Sequence, residues 1–265
     1  LVINQLLRPE KMRYKAPEYS FLGSSNQTNV ILVVSLKKGI SSLEDWKKSS
    51  TGLVGSSSGA SSTSTLIPKY LMSALGLKGR VVKGYKGSSR SIMAIEQGEA
   101  DMSAFNWLAW SSKVPQWFMG DKPFAKPILQ VGIFQDPDLP GVPMMEDVVP
   151  DEYKAGAKFL ASLGPLGRGL AFPPGVKKSY VNTLRAAYDK MNADAGFAAE
   201  LKKRKLRLIP SKGVDLQKVV KEAMTATTPE VVSFVRKAIF PTTKFPAQNK
   251  VAHTNIIYAL LFCID

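Results

Sequence analysis

Cysteine and histidine are nearly absent from this sequence. Among its 265 residues there is one cysteine, Cys263, and one histidine, His253. A single cysteine excludes an internal disulfide, and a single histidine excludes a histidine-rich metal site or a relay between histidines. We therefore predict that the chain holds neither a metal ion nor a cofactor.

Long apolar runs are missing as well. No stretch reaches the roughly 18 apolar residues that a membrane-spanning helix needs, and the chain does not open with the basic and apolar regions of a signal peptide. The apolar run 256–264 is too short to span a bilayer, and it lies in a tail, 241–265, whose composition differs from the rest. That tail is either a packed terminal element or, as we favour, sequence foreign to the domain, because an exposed apolar run promotes aggregation.

Acidic residues are outnumbered by basic ones. The sequence has 36 lysines and arginines against 21 aspartates and glutamates, which gives a formal net charge of +15. Such an excess fits either a basic exterior that attracts small anions or a surface that binds nucleic acid or another polyanion. Nucleic-acid-binding proteins usually show a basic stripe interleaved with aromatic residues, and this sequence shows none. We therefore predict no nucleic-acid partner and keep polyanion binding as the alternative function.

Apolar segments of strand length alternate with helical patterns along most of the chain. The β-branched run 28–36 is typical of a buried strand, and Leu66, Tyr70 and Leu75 recur at helical spacing before Gly76. Such alternation favours an α/β fold with mostly parallel strands. The other predicted strands are 52–55, 80–82, 100–105, 128–134, 169–172 and 207–209. The other predicted helices are a short one from Ser42, one capped by Ser88 and Ser89, 151–163, an amphipathic one around 181–191, and 213–240 with a break near Pro229.

The segment 55–65 lies between a predicted strand and a predicted helix, and most of its residues are serine or threonine. Backbone N–H groups at a helix N-terminus lack intrahelical partners, and the helix dipole adds positive potential there. Hydroxyls and amides in this position can surround a carboxylate or a phosphate. The alternative is an ordinary polar loop or a simple helix cap.

Three classes of nucleotide-binding protein or enzyme fit this segment poorly. It lacks the Gly-Lys-Ser/Thr of a phosphate-binding loop and the three-glycine spacing of a dinucleotide fingerprint. A serine nucleophile would need a base, and the only histidine lies in the tail. A hydrolase with a serine–lysine dyad stays open as a third function, although no particular lysine stands out.

Two further features follow predicted strands. The turn Tyr85-Lys86-Gly87-Ser88-Ser89 comes where a strand gives way to a helix, and ligands of α/β sheets bind beyond the carboxyl ends of strands. An ordinary turn is the alternative. Phe105, Trp107 and Trp110 follow another strand, where we expect them to fill the core rather than to stack on a ligand.

An ordered series of short motifs resembles one family of receptors. In order and spacing, the motifs are similar to those of the substrate-binding proteins of tripartite tricarboxylate transporters, the Bug-type periplasmic receptors. The resemblance covers roughly residues 10–240. Its motifs are 20–24 with the strand 30–34, 55–62, Leu75-Gly76, Gly84-Tyr85-Lys86-Gly87, 98–102, 172–176, 184–190, Ala193-Asp194 and Phe197.

The resemblance implies a periplasmic-binding-protein-like α/β fold with two lobes and a ligand cleft between them, one lobe being incomplete. Residues 1–27 and 171–240 would form the remainder of the first lobe, and 28–170 the second lobe with the serine-rich ligand loop. The predicted ligand-binding residues are Ser56, Ser57, Ser58, Gly59, Ala60, Ser61, Ser62, Thr63, Tyr85, Gly87, Ser88, Asn26 and Thr28.

The resemblance also implies a function. It indicates a monomeric periplasmic receptor, not an enzyme, that captures a small carboxylate for the membrane subunits of a tripartite transporter. The sequence departs from the family in three ways. Gly84 replaces a proline, the serine-rich loop is one residue longer, and the N-terminal part that carries the family's other carboxylate-binding loop has no counterpart.

Overall fold

The structure is a computed structural model that describes residues 2–162, 164, 169–204 and 206–240. Strands and helices alternate through its first two thirds, and helices dominate the rest. The strands are β1 Ser20–Ser24, β2 Val30–Ser35, β3 Leu53–Ser57, β4 Gly79–Lys83, β5 Met102–Asn106, β6 Ala125–Val131, β7 Leu170–Phe172 and β8 Ser211–Lys212. The helices are α1 Val2–Leu7, α2 Leu43–Lys48, α3 Thr63–Leu75, α4 Gly87–Gln97, α5 Trp107–Lys113, α6 Met145–Val148, α7 Asp151–Ala161, α8 Lys178–Asn192, α9 Ala195–Lys203, α10 Gly213–Ala226 and α11 Pro229–Ile239, with 3-10 turns at Pro9–Lys11, Ala16–Glu18, Leu36–Lys38 and Pro115–Phe118.

Five strands form the larger sheet, in the order β4-β3-β5-β2-β6. β3 pairs in parallel with β4 and β5, whereas β2 is antiparallel to β5 and β6, so β2 alone among these five runs against the others. Every residue of β2 is buried, as expected of a strand that is covered on both faces. The predicted α/β fold with mostly parallel strands is confirmed for this sheet.

The carboxyl ends of β3, β4 and β5 lie at one edge of the larger sheet, because these strands are parallel neighbours. The serine-rich loop, the turn at Tyr85 and the start of α5 follow these strands. The amides of Gly84 and Tyr85 both donate to the carbonyl oxygen of Ser57, at 3.0 and 3.2 Å. This edge therefore brings together the serine-rich loop and the Tyr85 turn, as the sequence predicts.

Tyr70 of α3 lies in the core between the larger sheet and the helices that cover it. Its side chain is fully buried, its hydroxyl donates to the carbonyl oxygen of Tyr153 at 2.6 Å, and burial raises its pKa. The same core includes Ile3 of α1 and Val235 of α11. These two helices, which the sequence assigned to the first lobe, thus pack on the core of the second, and the lobe boundaries stay a prediction.

A second core lies on the other face of the larger sheet and is rich in tryptophan. Trp107, Trp110 and Trp117 are all buried there, and the indole N–H of Trp110 donates to the carbonyl oxygen of Ile31 at 3.2 Å. The expectation that the aromatic residues after β5 fill the core is therefore confirmed.

The smaller sheet has three antiparallel strands in the order β7-β1-β8. Helix α8 packs against β1, and the guanidinium Nε of Arg185 donates to the carbonyl oxygen of Phe21 at 2.7 Å. The sequence predicts an amphipathic helix here, and it forms, but Val181 is its one buried residue. Tyr180 and Leu184, both apolar in character, are exposed.

Three local predictions from the sequence are wrong. Residues 207–209 form no strand; Ile209 makes only an isolated bridge with Asn26, and the short strand β8 begins two residues later, after Pro210. Lys86, not Ser88 or Ser89, occupies the N-cap of α4, and it makes no side-chain capping bond. The serine-rich loop is shorter than predicted, because β3 extends to Ser57 through its pairing with β4.

The tail 241–265 lies outside the described residues, together with His253, Cys263 and the apolar run 256–264. Across the described part of the chain, each helix is too short or too polar to cross a membrane.

Candidate ligand-binding site

The serine-rich loop joins β3 to α3 and ends in a capped helix. Ser62 is the N-cap residue of α3, and its side-chain oxygen accepts from the amide of Ser64 at 3.3 Å. The two hydroxyl oxygens of these residues lie 2.6 Å apart. Gly59 contributes a carbonyl that accepts from the amide of Ser62 at 3.2 Å, which closes the turn before the helix.

Ser56 and Ser57 point into the protein. Both are fully buried in β3, a strand that has neighbours on both sides. The hydroxyl of Ser56 donates to the carbonyl oxygen of Ser91 at 3.1 Å. The hydroxyl of Ser57 lies 2.7 Å from that of Thr65 and accepts from Ser64 at 2.9 Å. These two predicted ligand residues therefore have protein partners, and they hold the base of the loop in place.

The burial of Ser57 also bears on the hydrolase alternative. Residues 55–59 have the spacing Gly-x-Ser-x-Gly, with Ser57 at the centre. A nucleophilic serine in such a turn needs an exposed hydroxyl and a base within hydrogen-bond reach. The hydroxyl of Ser57 is buried, and its described partners are other hydroxyls and the backbone of Gly59. The geometry thus gives no support to a serine nucleophile at this position.

The outer part of the loop offers hydrogen-bond donors. Ser58 is exposed, and Ala60, Ser61 and Thr63 are partly exposed. Within the described residues, the amides of Ala60, Ser61 and Thr63 donate to no backbone or side-chain acceptor. Thr63 is the first residue of a helix of 13 residues, and Ala60 and Ser61 lie in the turn before its N-cap. Amides in this position attract a negative charge, because the helix dipole adds to their partial charges. This part of the loop fits a carboxylate or another small anion.

The hydroxyl of Thr63 is already engaged. It donates to the carbonyl oxygen of Ala104 in β5 at 3.0 Å, which ties the start of α3 to the neighbouring strand. Among the predicted loop residues, Ser58 and Ser61 therefore keep hydroxyls that can donate to a ligand.

Arg8 is a component of this site that sequence reasoning missed. Its guanidinium Nη1 donates to the hydroxyl oxygen of Ser61 at 2.9 Å, across 53 positions of the chain. Arg8 directly follows α1. Ile3 and Leu7 of this helix pack in the main core, and their burial fixes the position of Arg8. The sequence around Arg8 contains no motif that predicts its contact with Ser61.

The Tyr85 turn lies beside the loop and has its own cation. Gly87 opens α4 with a positive φ of 78°, a conformation that favours glycine. The ammonium group of Lys113 donates to the hydroxyls of Ser88 and Ser89, at 2.7 and 2.8 Å. The hydroxyl of Tyr85 donates to Glu99 at 3.4 Å, and burial together with that carboxylate raises its pKa.

Asn26 and Thr28 lie where the chain passes from the smaller sheet to the larger one. Both are buried, and the side-chain amide of Asn26 donates to the carbonyl oxygen of Arg207 at 2.6 Å. The hydroxyl of Thr28 donates to the carbonyl oxygen of Asn29 at 3.4 Å. The oxygen Oδ1 of Asn26 is buried without a partner among the described residues. The described side-chain hydrogen bonds of Asn26 and Thr28 are with Arg207 and Asn29, and none is with the serine-rich loop.

Within the described residues, His, Cys, Asp and Glu form no group of three or more that could hold a metal ion. A cavity of about 450 Å³ lies near the smaller sheet, and it is lined by Gln27, Asp189, Asn192 and Asp215 among others. The residues of the serine-rich loop and of the Tyr85 turn do not line this cavity, because they follow the carboxyl ends of β3 and β4.

Solved structures of binding proteins have the same fold as this chain. MatC from Rhodopseudomonas palustris with bound malate superposes with a TM-score of 0.62 at 18% identity, over 87% of this chain and 75% of its own. For the periplasmic binding protein BugD the TM-score is 0.62 at 16% identity, over 89% of this chain and 76% of its own. A TctC solute-binding protein from Polaromonas gives 0.58 at 12% identity, over 89% and 75%. No family model and no curated protein matches the sequence.

These matches confirm the α/β fold that the sequence motifs imply, and about a quarter of each solved chain has no counterpart here. Identities this low establish the fold alone. The chain therefore has the α/β fold of the TctC and Bug-type solute-binding proteins, over about three quarters of their length.

Proposed function

We propose that this chain is the ligand-binding part of a periplasmic receptor that captures a small mono- or dicarboxylate for a tripartite membrane transporter. The observation that carries the proposal is a set of three amides without an acceptor among the described residues, those of Ala60 and Ser61 in the turn before α3 and that of Thr63, its first residue. Neutral donors of this kind bind an anion and release it again, as uptake requires. The fold is shared with MatC, whose structure holds malate, and with the periplasmic protein BugD.

The proposal includes no catalytic step. The neighbours that share the fold are binding proteins by name, and the buried Ser57 lacks a described base. The role of the protein is then to hold the ligand, and ligand binding stabilises whichever conformation has the higher affinity. We propose that it acts as a monomer and without a cofactor. Its net charge of +15 would raise the local concentration of anions.

The test is a thermal-shift screen of the full chain against malate, succinate, glutarate, adipate and short monocarboxylates. A ligand that binds only the folded state stabilises it by mass action, by about 2.7 kcal/mol at a concentration 100 times its Kd. We expect at least one acid to raise the melting temperature. Duplex DNA is the comparison arm. Stabilisation by DNA that falls steeply with salt, with no response to any acid, would support polyanion binding instead.

A charge variant locates the binding. Ser58 is exposed and its hydroxyl has no described partner, so Ser58→Asp leaves the fold intact and places a carboxylate beside the free amides. We expect this variant to lose the response to acids, because like charges repel. Thr51→Asp is the matched control, since Thr51 is also exposed and lies before the opposite end of β3. An unchanged acid response in Ser58→Asp would move the site away from the loop.

A further inference from the structure

We propose that Arg8 supplies the positive charge of the carboxylate site and that Ser61 transmits it to the ligand. This inference rests on the proposed function and adds to it the residue that selects for an ionised group. Arg8 Nη1 donates to the hydroxyl oxygen of Ser61 at 2.9 Å. Because this bond uses the oxygen as acceptor, the single hydroxyl hydrogen of Ser61 remains available as a donor.

The charge of Arg8 is uncompensated within the described structure. Arg8 takes part in none of the ion pairs between described residues. Its guanidinium carbon lies 5.9 Å from the ring centre of Phe240, and its side chain is partly buried. A carboxylate bound at the loop would give this guanidinium the counter-charge that the described residues do not provide.

Ser61 lies where both kinds of donor meet. Its amide is one of the three without a described acceptor, and its hydroxyl oxygen faces the guanidinium. A carboxylate oxygen near Ser61 would accept from the amide and from the polarised hydroxyl, with Arg8 directly behind. Bonds that involve an ionised partner are about twice as strong as neutral ones. This arrangement therefore increases the preference of the site for a carboxylate over the corresponding neutral amide or ester.

The experiment measures malate binding to the full chain by isothermal titration calorimetry, with succinate, glutarate and adipate in parallel. We expect Arg8→Gln to weaken binding about tenfold or more, the loss typical of a hydrogen bond to a charged group, and Arg8→Lys to keep part of the affinity. Arg13→Gln is the matched control. It removes the same charge from an exposed side chain nearby in sequence, and we expect it to bind as the unmodified chain does.

A second variant separates a binding role from a structural one. Ser61→Ala keeps the charge of Arg8 and removes the hydroxyl between it and the ligand, so we expect a similar loss of affinity with an unchanged melting temperature. If Arg8→Gln does not fold, the malate affinity of Ser61→Ala tests the inference instead. Equal malate affinity for Arg8→Gln, Ser61→Ala and the unmodified chain would overturn this inference and leave the proposed function standing. Failure of the unmodified chain to bind any of the acids would remove both.

Discussion

Arg207 and Asp136 form a bidentate ion pair between two distant parts of the chain. The guanidinium Nη1 and Nη2 atoms donate to the two carboxylate oxygens, each at 2.8 Å, and Asp136 is fully buried. Asp138 adds a third contact to Arg207 at 3.0 Å and accepts from the indole of Trp107 at the same distance. The hydrogen bonds to Asp136 raise the pKa of Arg207. The pair joins the segment before β8 to the loop after β6.

Removal of this arginine should destabilise the protein. We expect Arg207→Met to lower the free energy of unfolding by about 3 kcal/mol, because it leaves the carboxylate of Asp136 buried without its counter-charge. Urea denaturation followed by circular dichroism measures the change. The control is Arg204→Gln, which breaks an exposed pair with Glu200 and should cost less than about 1 kcal/mol. Equal effects of the two variants would show that the Arg207 pair is energetically a surface contact.

A second prediction concerns the contact between α3 and α7. A Cβ atom on Gly156 would collide with the hydroxyl of Tyr70 and with a methyl group of Val235. We expect Gly156→Ala to lose about 1–3 kcal/mol of stability through overpacking, although alanine is the better helix former. Gly141→Ala is the control, since a Cβ there meets no atom within 4 Å. A stabilised Gly156→Ala protein would mean that α7 stands farther from α3 than described.

A third prediction concerns pH. The backbone amide of Ser41, and after it the hydroxyls of Ser41 and Ser42, lower the pKa of Asp45 from its ordinary value of 3.8. A lowered pKa in the folded state means that this carboxylate stabilises the fold above its ordinary pKa and that the contribution disappears as the pH falls through the lowered value. We expect Ser41→Ala to raise the pKa of Asp45, because one of the two bonds from Ser41 is lost.

Side-chain carboxyl NMR shifts recorded between neutral and strongly acidic pH measure this titration. Ser49→Ala is the control, since Ser49 lies beyond the other end of α2 and contacts Thr51 instead. A titration midpoint of Asp45 that Ser41→Ala leaves unchanged would contradict the assignment of these bonds.

The fold could largely be predicted from the sequence because its elements carry strong local signals. The buried run of β2 and the glycines Gly76 and Gly98, which end α3 and α4 in left-handed conformations, are visible without tertiary information. The strand expected at 207–209 failed because its pattern is short and Pro210 follows at once. The contacts of this segment depend on distant parts of the chain. Ile209 forms a backbone bridge with Asn26, and Arg207 forms an ion pair with Asp136.

The position of the candidate site could be predicted from the sequence. The residues that can contact a ligand could not be distinguished from those that are buried. Ser56 and Ser57 look like loop residues beside Ser58 in a run of serines, yet β3 lies between two strands and buries both of them. The end of β3 at Ser57 separates the two buried hydroxyls from the exposed one of Ser58. The role of Arg8 could not be predicted from the sequence, because its contact with Ser61 depends on how α1 packs in the main core.

The most direct test of the central claim is a ¹H–¹⁵N NMR titration of the full chain with the acid that gives the largest thermal shift. If the free amides at the start of α3 hold the carboxylate, the resonances of Ala60, Ser61 and Thr63 should move together with a single dissociation constant, while amides at the far end of α3 stay in place. Saturable binding of the acid that leaves these three resonances unmoved would contradict the account.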